Sequence, residues 1–191
     1  MYEVNYFTDG SIVYPHNIIR NTKKGSLGYI ALSSDYLITD SYVAYSYPDI
    51  HYLEAAAITQ CLKRILKISK KNHKYTIFSD SDSAYLTIKN IVLTGNSANP
   101  DLDLLNRECS KVAELLTKMS ETIDIHLILI KSHTHPEAQA KYLRRQKLDF
   151  TEHECKLICK GNFLVDQLVS NTARFIKAYS CLPNIKVFEK A

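Results

Sequence analysis

Between Ile125 and Ile130 the chain reads IHLILI, nearly all apolar. A run this short and unbroken suits a strand buried on both faces of a sheet, and such strands occur where helices cover the sheet. The fold must therefore supply helices as well as strands. Tyr2 to Asp9 (YEVNYFTD) is aromatic and β-branched and reads as a strand, ended by a turn at Gly10-Ser11. Gly28 to Leu32 and Ile38 to Tyr47 read as two more strands, separated by Ser33-Ser34-Asp35. The first three strands thus form an expected antiparallel meander.

The period then changes. Asp49 is placed to cap a helix from about Tyr52 to Ser69, with Leu53, Ala57, Cys61 and Ile65 at four-residue spacing. A strand at Tyr75 to Ser79 follows, with a short helix after Asp80. Asn99-Pro100 suits a helix start, and apolar residues from Leu102 to Met119 carry that helix to about Ser120. After the IHLILI strand a helical stretch covers about Asn162 to Tyr179. His135 to Lys160 is charged and gives no clear helical reading, although Thr151 to Glu154 has the form of a capping box, after which Gly161 interrupts or ends the helix. The element order describes a mixed α/β sheet covered by helices.

At 191 residues, 46% hydrophobic and 23% charged, the chain has the size and composition of one folded domain. A formal net charge of +4 permits contact with nucleic acid without demanding it. The five scattered cysteines (Cys61, Cys109, Cys155, Cys159, Cys181) favour reduced thiols over a disulfide framework. The N-terminus lacks a signal-peptide layout, and no apolar run reaches the roughly 18 residues of a membrane span. The expectation is a soluble cytoplasmic protein with no membrane partner.

Four acidic residues stand at special places. Asp9 and Asp80 end predicted strands, where side chains point into the crevice at the sheet edge. Glu54 lies in the first turns of the first long helix, and Asp166 in the last helix. Singly, each has a plain reading: a turn residue, a dipole-favoured glutamate, a helix cap, a surface aspartate. Together they would repel one another unless a cation neutralised them. Hard oxygen donors suit Mg²⁺ or Mn²⁺, and a pair of such ions can activate water and stabilise a leaving oxygen at a phosphodiester.

Thr8-Asp9-Gly10-Ser11, Leu53-Glu54-Ala55-Ala56, Ser79-Asp80-Ser81, and Gly161-Asn162 followed by Asp166 resemble the four motifs of type 1 ribonuclease H. The resemblance spans roughly residues 2–178. It implies a ribonuclease H-like fold, with a five-stranded mixed sheet (three antiparallel strands, then two parallel) flanked by helices. Residues 1–180 would form one domain with an insertion at about 136–160, and 181–191 a C-terminal tail. It further implies endonucleolytic hydrolysis of the RNA strand of RNA–DNA hybrids with two Mg²⁺ ions, Mn²⁺ substituting, held by Asp9, Glu54, Asp80 and Asp166. His133, in Ile130-Lys131-Ser132-His133, resembles the family's mobile histidine, which can move a proton or assist product departure. Candidate substrate contacts are Gly10, Ser11, Asn17, Ser81 and Lys131, and the expected state is a monomer on a nucleic-acid partner.

The chain also departs from the family pattern. About thirty residues separate His133 from Asp166, where the family has few. Trp is absent and Lys89 to Ala98 is barely basic, so the usual basic handle is missing. Lys141, Arg144, Arg145 and Lys147 offer another grip or a plain solvated face. Asp82 puts an unexplained negative charge beside the phosphate path. His133, His135, His153, Cys155 and Cys159 are a rival zinc set, with spacing that fits no common module. Alternatives to the hybrid-specific enzyme are a nuclease of the same fold acting on branched or single-stranded DNA, and a non-catalytic nucleic-acid-binding module. Clustered acids without a counter-charge argue against the last.

Overall fold

A computed structural model describes residues 2–13, 24–33, 37–45, 47, 49–69, 73–95, 103–178 and 186–188. Three strands, β1 (Tyr2–Val13), β2 (Lys24–Leu32) and β3 (Leu37–Tyr45), form the antiparallel meander. They are followed by α1 (Ile50–Ile68), β4 (His73–Ser79), α2 (Asp82–Thr94), α3 (Leu104–Ser120) and β5 (Asp124–Leu129). Then come α4 (Pro136–Arg145), α5 (Glu152–Ala178) and a three-residue β6 (Lys186–Phe188). The sheet order is β5-β4-β1-β2-β3-β6, with β4 parallel to β1 and to β5. The mixed five-stranded sheet is thus present, and β6 adds a parallel strand beside β3 from within the expected tail.

Side chains alternate across the sheet, so each strand feeds two cores. Val4, Tyr6, Tyr29, Tyr75 and Ile77 pack under α1, α2 and α3, against Ile58, Leu62, Ile88 and Val112. Phe7, Ile30, Phe78 and Ile128 face the other way, toward Leu143 of α4 and Cys155, Ile158 and Val165 of α5. The Phe7 and Phe78 rings stack at 5.1 Å between centroids, one residue before each strand's last buried polar position. No described helix is long and apolar enough to cross a membrane.

Caps set the helix starts. Asp49 accepts from the Tyr52 amide, and Asp103 accepts from the Asn106 amide. Thr151 and Glu154 form a reciprocal capping box, Thr151 Oγ1 accepting from the Glu154 amide and Glu154 Oε2 from the Thr151 amide. Several expectations are corrected. The expected start at Asn99-Pro100 lies outside the described residues, and the described helix begins at Leu104. Gly10-Ser11 is no turn: β1 runs through it to Val13, with Gly10 paired to Leu27. The last helix starts at Glu152 rather than near Asn162, and Gly161 lies inside it. The charged stretch 136–160 is α4, a turn, and the first turns of α5. Its weak apolar signal follows from its burial, since α4 hides only Gln139 and Leu143.

Candidate active site

The parallel register of β1 and β4 pairs Thr8 with Ser79, so Asp9, still inside β1 rather than at its end, and Asp80, the residue after β4, stand side by side. Glu54 reaches them because β1 carries no side chain at Gly10. A Cβ there would lie 2.8 Å from Leu53 Cβ and 3.0 Å from the Glu54 nitrogen. The bare backbone lets α1 cross the strand at the residue that must meet Asp9. One ligand oxygen each from Asp9, Glu54 and Asp80 lie within 4.8 Å of one another.

Asp166 approaches from α5. That helix lies close to the sheet because Gly161 faces the Phe7 ring, where a Cβ would sit 2.3 Å from Phe7 Cε2. The next residue, Asn162, donates through Nδ2 to Asp80 Oδ2 at 3.0 Å. Asp166 is outside the tight group of three, yet its charge acts on Asp9. Its Oδ1 accepts from the Ser170 hydroxyl at 3.4 Å.

The electrostatics are those of a crowded acidic cluster. Burial, then the charge of Asp80, pushes the Asp9 carboxyl well above the usual carboxylate range, with Glu54 and Asp166 adding to the effect. A hydrogen bond from the Gly10 amide to Asp9 Oδ1, at 2.7 Å, opposes that rise. Burial also raises Glu54, while hydrogen bonds from Ser81 and His51 lower it. His51 Nδ1 lies 3.2 Å from Glu54 Oε2. Among the described residues, neither lysine nor arginine pairs with Asp9, Glu54 or Asp80. Three mutually repelling carboxylates with neutral or weakly basic neighbours are a donor set that fits a hard divalent cation.

His133 follows β5 in a turn with a left-handed backbone (φ 43°), a conformation sparsely populated by non-glycine residues. With Lys131 it borders a cavity of about 190 Å³ that Asn162 also lines. Two glutamines of the α4 region fix this exit from β5. Gln139 Oε1 accepts from the Lys131 amide at 3.1 Å, and Gln146 Nε2 donates to the Leu129 carbonyl at 2.9 Å.

Of the candidate substrate contacts, Gly10 and Ser11 lie on β1, and Ser81 caps α2 by accepting from the Ala84 amide at 3.3 Å. Lys131 is exposed after β5, and Asn17 lies outside the described residues. Lys141, Arg144, Arg145 and Lys147 are all exposed on α4 and the turn after it. Asp82 opens α2, where a negative charge meets the positive end of the helix dipole. The zinc set does not form: among the described residues, His133, His135, His153, Cys155 and Cys159 gather into no metal-ligating group. Cys61, Cys109, Cys155 and Cys159 are free thiols, and Cys181 is outside the described residues.

Sequence reasoning passed over Asn162, His51, Gln139 and Gln146 as site residues. Asn162 stood next to Gly161 inside a quoted motif, the one signal that marked it. His51 lies three residues before Glu54 on the same helix face, a spacing at which side chains meet.

No curated protein sequence matches this chain. The fold is similar to the solution structure of the prototype foamy virus RNase H domain, at 19% identity and TM-score 0.58, covering 91% of this chain and 96% of that one. It is similar to the crystal structure of prototype foamy virus protease-reverse transcriptase, at 18% identity and TM-score 0.60 over 90% of this chain. This chain spans 21% of that longer protein. A foamy viral protease-reverse transcriptase in complex with an RNA/DNA hybrid also matches, at 15% identity and TM-score 0.51, covering 72% of this chain and 18% of that one. The sequence profile of RNase H matches residues 1–174, and on that match the chain belongs to the RNase H family.

Proposed function

We propose that this chain hydrolyses the RNA strand of RNA–DNA hybrids, using two divalent cations, Mg²⁺ by preference, held by Asp9, Glu54, Asp80 and Asp166. The observation that carries the reading is the convergence of three carboxylates within 4.8 Å, without a lysine or arginine partner among the described residues. Family membership and the likeness to a foamy viral enzyme caught with an RNA/DNA hybrid support the substrate class. When bound, the cations supply an activated water and neutralise charge on the leaving oxygen.

The chain's own groups hold that arrangement. The Gly10 amide fixes one Asp9 oxygen, Asn162 orients Asp80, and Ser81 and His51 steady Glu54. Asp166, set on the helix that Gly161 brings in, completes the acidic set. His133 stands at the cavity rim to exchange a proton with the departing product. Gly10, Ser11, Ser81, Lys131 and Asn17 are the proposed contacts to the hybrid, and recognition would rest on A-form shape and 2′-hydroxyls. On this reading residues 1–180 are one catalytic domain acting as a monomer in a reducing, cytosol-like compartment, with α4 and the start of α5 as an insertion.

The test is a cleavage assay with Mg²⁺ or Mn²⁺ on matched labelled substrates: RNA–DNA hybrid, RNA–RNA, DNA–DNA and a four-way junction. The expected outcome is cutting of the hybrid's RNA strand alone, abolished in Asp80→Asn with the fold intact. Cutting of DNA instead would replace the substrate, and retained cleavage in Asp80→Asn would remove the metal assignment.

A further inference from the structure

Residues 141–147 hold four cations and no acid: Lys141, Arg144, Arg145 and Lys147. All four are exposed, on α4 and the turn after it. Among the described residues, Lys141, Arg145 and Lys147 have no acidic partner. Arg144 meets Asp149 at 3.9 Å with both side chains largely in solvent, an ion pair that contributes little. The helix dipole favours cations in the last turn of α4, which accounts for Arg144 and Arg145. It gives no reason for Lys141, a turn earlier. Lys147 follows the helix end with a left-handed backbone (φ 62°), where glycine is the usual residue. The turn closes through the Lys147 amide donating to the Arg144 carbonyl at 2.9 Å and the Leu148 amide donating to the Leu143 carbonyl at 3.1 Å. Glycine would make the same bonds without strain, so a lysine side chain is kept where the backbone disfavours it.

These cations stand beside the acidic cluster. Gln139 and Gln146 tie α4 to the end of β5 on both sides of Ile130, through the Lys131 amide and the Leu129 carbonyl. Leu129 pairs with Ser79, the residue before Asp80. Burial raises the Tyr142 hydroxyl and the charges of Asp82 and Tyr85 add to the rise, which sets α4 beside the start of α2. The basic face is thus roughly two to three strand spacings, ~10–15 Å, from the carboxylates. A second cationic stretch, Lys63, Arg64 and Lys67, lies nine to thirteen residues beyond Glu54 on α1. That is about 14–20 Å along the helix, toward the end of β4 opposite Asp80. A polyanion laid over the acidic cluster is repelled there and needs cations close by to hold it. We propose that α4 and the turn after it grip the phosphate backbone of the bound duplex, Lys141, Arg145 and Lys147 meeting phosphates about three to four base pairs from the cleavage point. The inference rests on the ribonuclease reading for its partner class, and it assigns a purpose to the α4 insertion. Such contacts carry no base information, so they set affinity and register without sequence preference.

The experiment measures binding of a labelled RNA–DNA hybrid to the full chain by fluorescence anisotropy, in chelator, across a salt series. Each phosphate contact adds about 0.9 to the slope of log affinity against log salt. Lys141→Ala, Arg145→Ala and Lys147→Gly combined should therefore lower the slope by about 2–3 and weaken binding at least about tenfold at roughly 0.1 M salt. In Mg²⁺ the same variant should raise KM by a similar factor and leave kcat nearly unchanged. Lys63→Ala combined with Lys67→Ala removes cations from the far end of α1 and should leave the slope in place. Lys147→Gly alone should lower the slope by about 1 while raising Tm by about 2 °C, a gain and a loss that a purely structural lysine would not combine. An unchanged slope in the triple variant, or an equal loss in the α1 control, would overturn the proposal. Cleavage by the wild type separates the two ideas. If hybrid is cut while the triple variant keeps its slope, only the grip falls. If no hybrid is cut yet the triple variant loses binding, the ribonuclease reading falls and the grip stands.

Discussion

Gly161→Ala tests how closely the site depends on the approach of α5 to the sheet. The new Cβ would lie 2.3 Å from Phe7 Cε2 and 2.4 Å from Cζ, where ordinary contact begins near 3.4 Å. A gap of about 1.1 Å must open, the difference between 3.4 and 2.3 Å. Phe7 cannot yield easily, being 1% exposed and stacked on Phe78. The helix must therefore move. Alanine gains roughly 1 kcal/mol of helix propensity over glycine. Overpacking costs roughly 1–3 kcal/mol, so the net loss is roughly 0–2 kcal/mol. At roughly 2–4 °C per kcal/mol for a domain of this size, Tm should fall by no more than about 8 °C. Turnover should suffer far more. Asn162 is the neighbouring residue, and its 3.0 Å bond to Asp80 does not survive a shift of that size. A misplacement of about 1 Å can cost about a hundredfold in rate. The assay is hybrid cleavage under saturating Mg²⁺ beside thermal unfolding. Phe7→Leu supplies the control, since a smaller side chain should relieve the clash and make the double variant better than additive. Wild-type turnover and Tm in Gly161→Ala would refute the idea that this close approach positions Asp80.

Three further outcomes are expected. Gly10→Ala forces α1 outward at Leu53 and Glu54, so it should lose roughly 1–3 kcal/mol in chemical denaturation and weaken Mg²⁺ binding by calorimetry; intact Mg²⁺ affinity would count against Gly10 setting the place of Glu54. In metal-free protein the raised Asp9 carboxyl binds more protons folded than unfolded, so its contribution to stability falls as pH rises from about 3.8 through the raised value. Urea unfolding in chelator should show Asp9→Asn gaining on the wild type over that interval, and Mg²⁺ should remove the gain; a gain at low pH that vanishes at neutrality has the wrong sign. His133→Ala should slow turnover more than it weakens hybrid binding, and equal loss in both would return His133 to the role of a loop residue.

Much of this site was legible because its carboxylates sit where simple patterns change. Asp80 stands just past the end of β4 and Glu54 on a helix with regular apolar spacing, whereas Asp9 lies inside β1, four residues before its end. What misled was glycine. Asp9-Gly10 has the composition of a turn, yet the strand continues, because the missing side chain serves the crossing helix rather than a bend. Gly161 has the look of a helix end, yet it sits inside α5 because a phenyl ring occupies the space its Cβ would need. Neither partner is near in sequence, so no local pattern reveals it. The α4 stretch was opaque for a different reason, since its buried positions include a glutamine in place of an apolar residue. Strand β6 is three residues long, too short for any periodicity.

The pairing of β1 with β4 also has a kinetic meaning. Asp9 and Asp80 become neighbours only when segments about seventy residues apart close into one parallel register. Such long-range closure is slow, since chain entropy is lost before the contacts that repay it form. A slip of one residue would turn the Asp9 side chain to the opposite face of the sheet. On the proposed metal assignment, metal affinity would be a readout of global topology: a folding intermediate with helices formed but β1 unpaired from β4 would have no cation site, and a bound cation would act as a late ligand that slows unfolding more than it speeds folding.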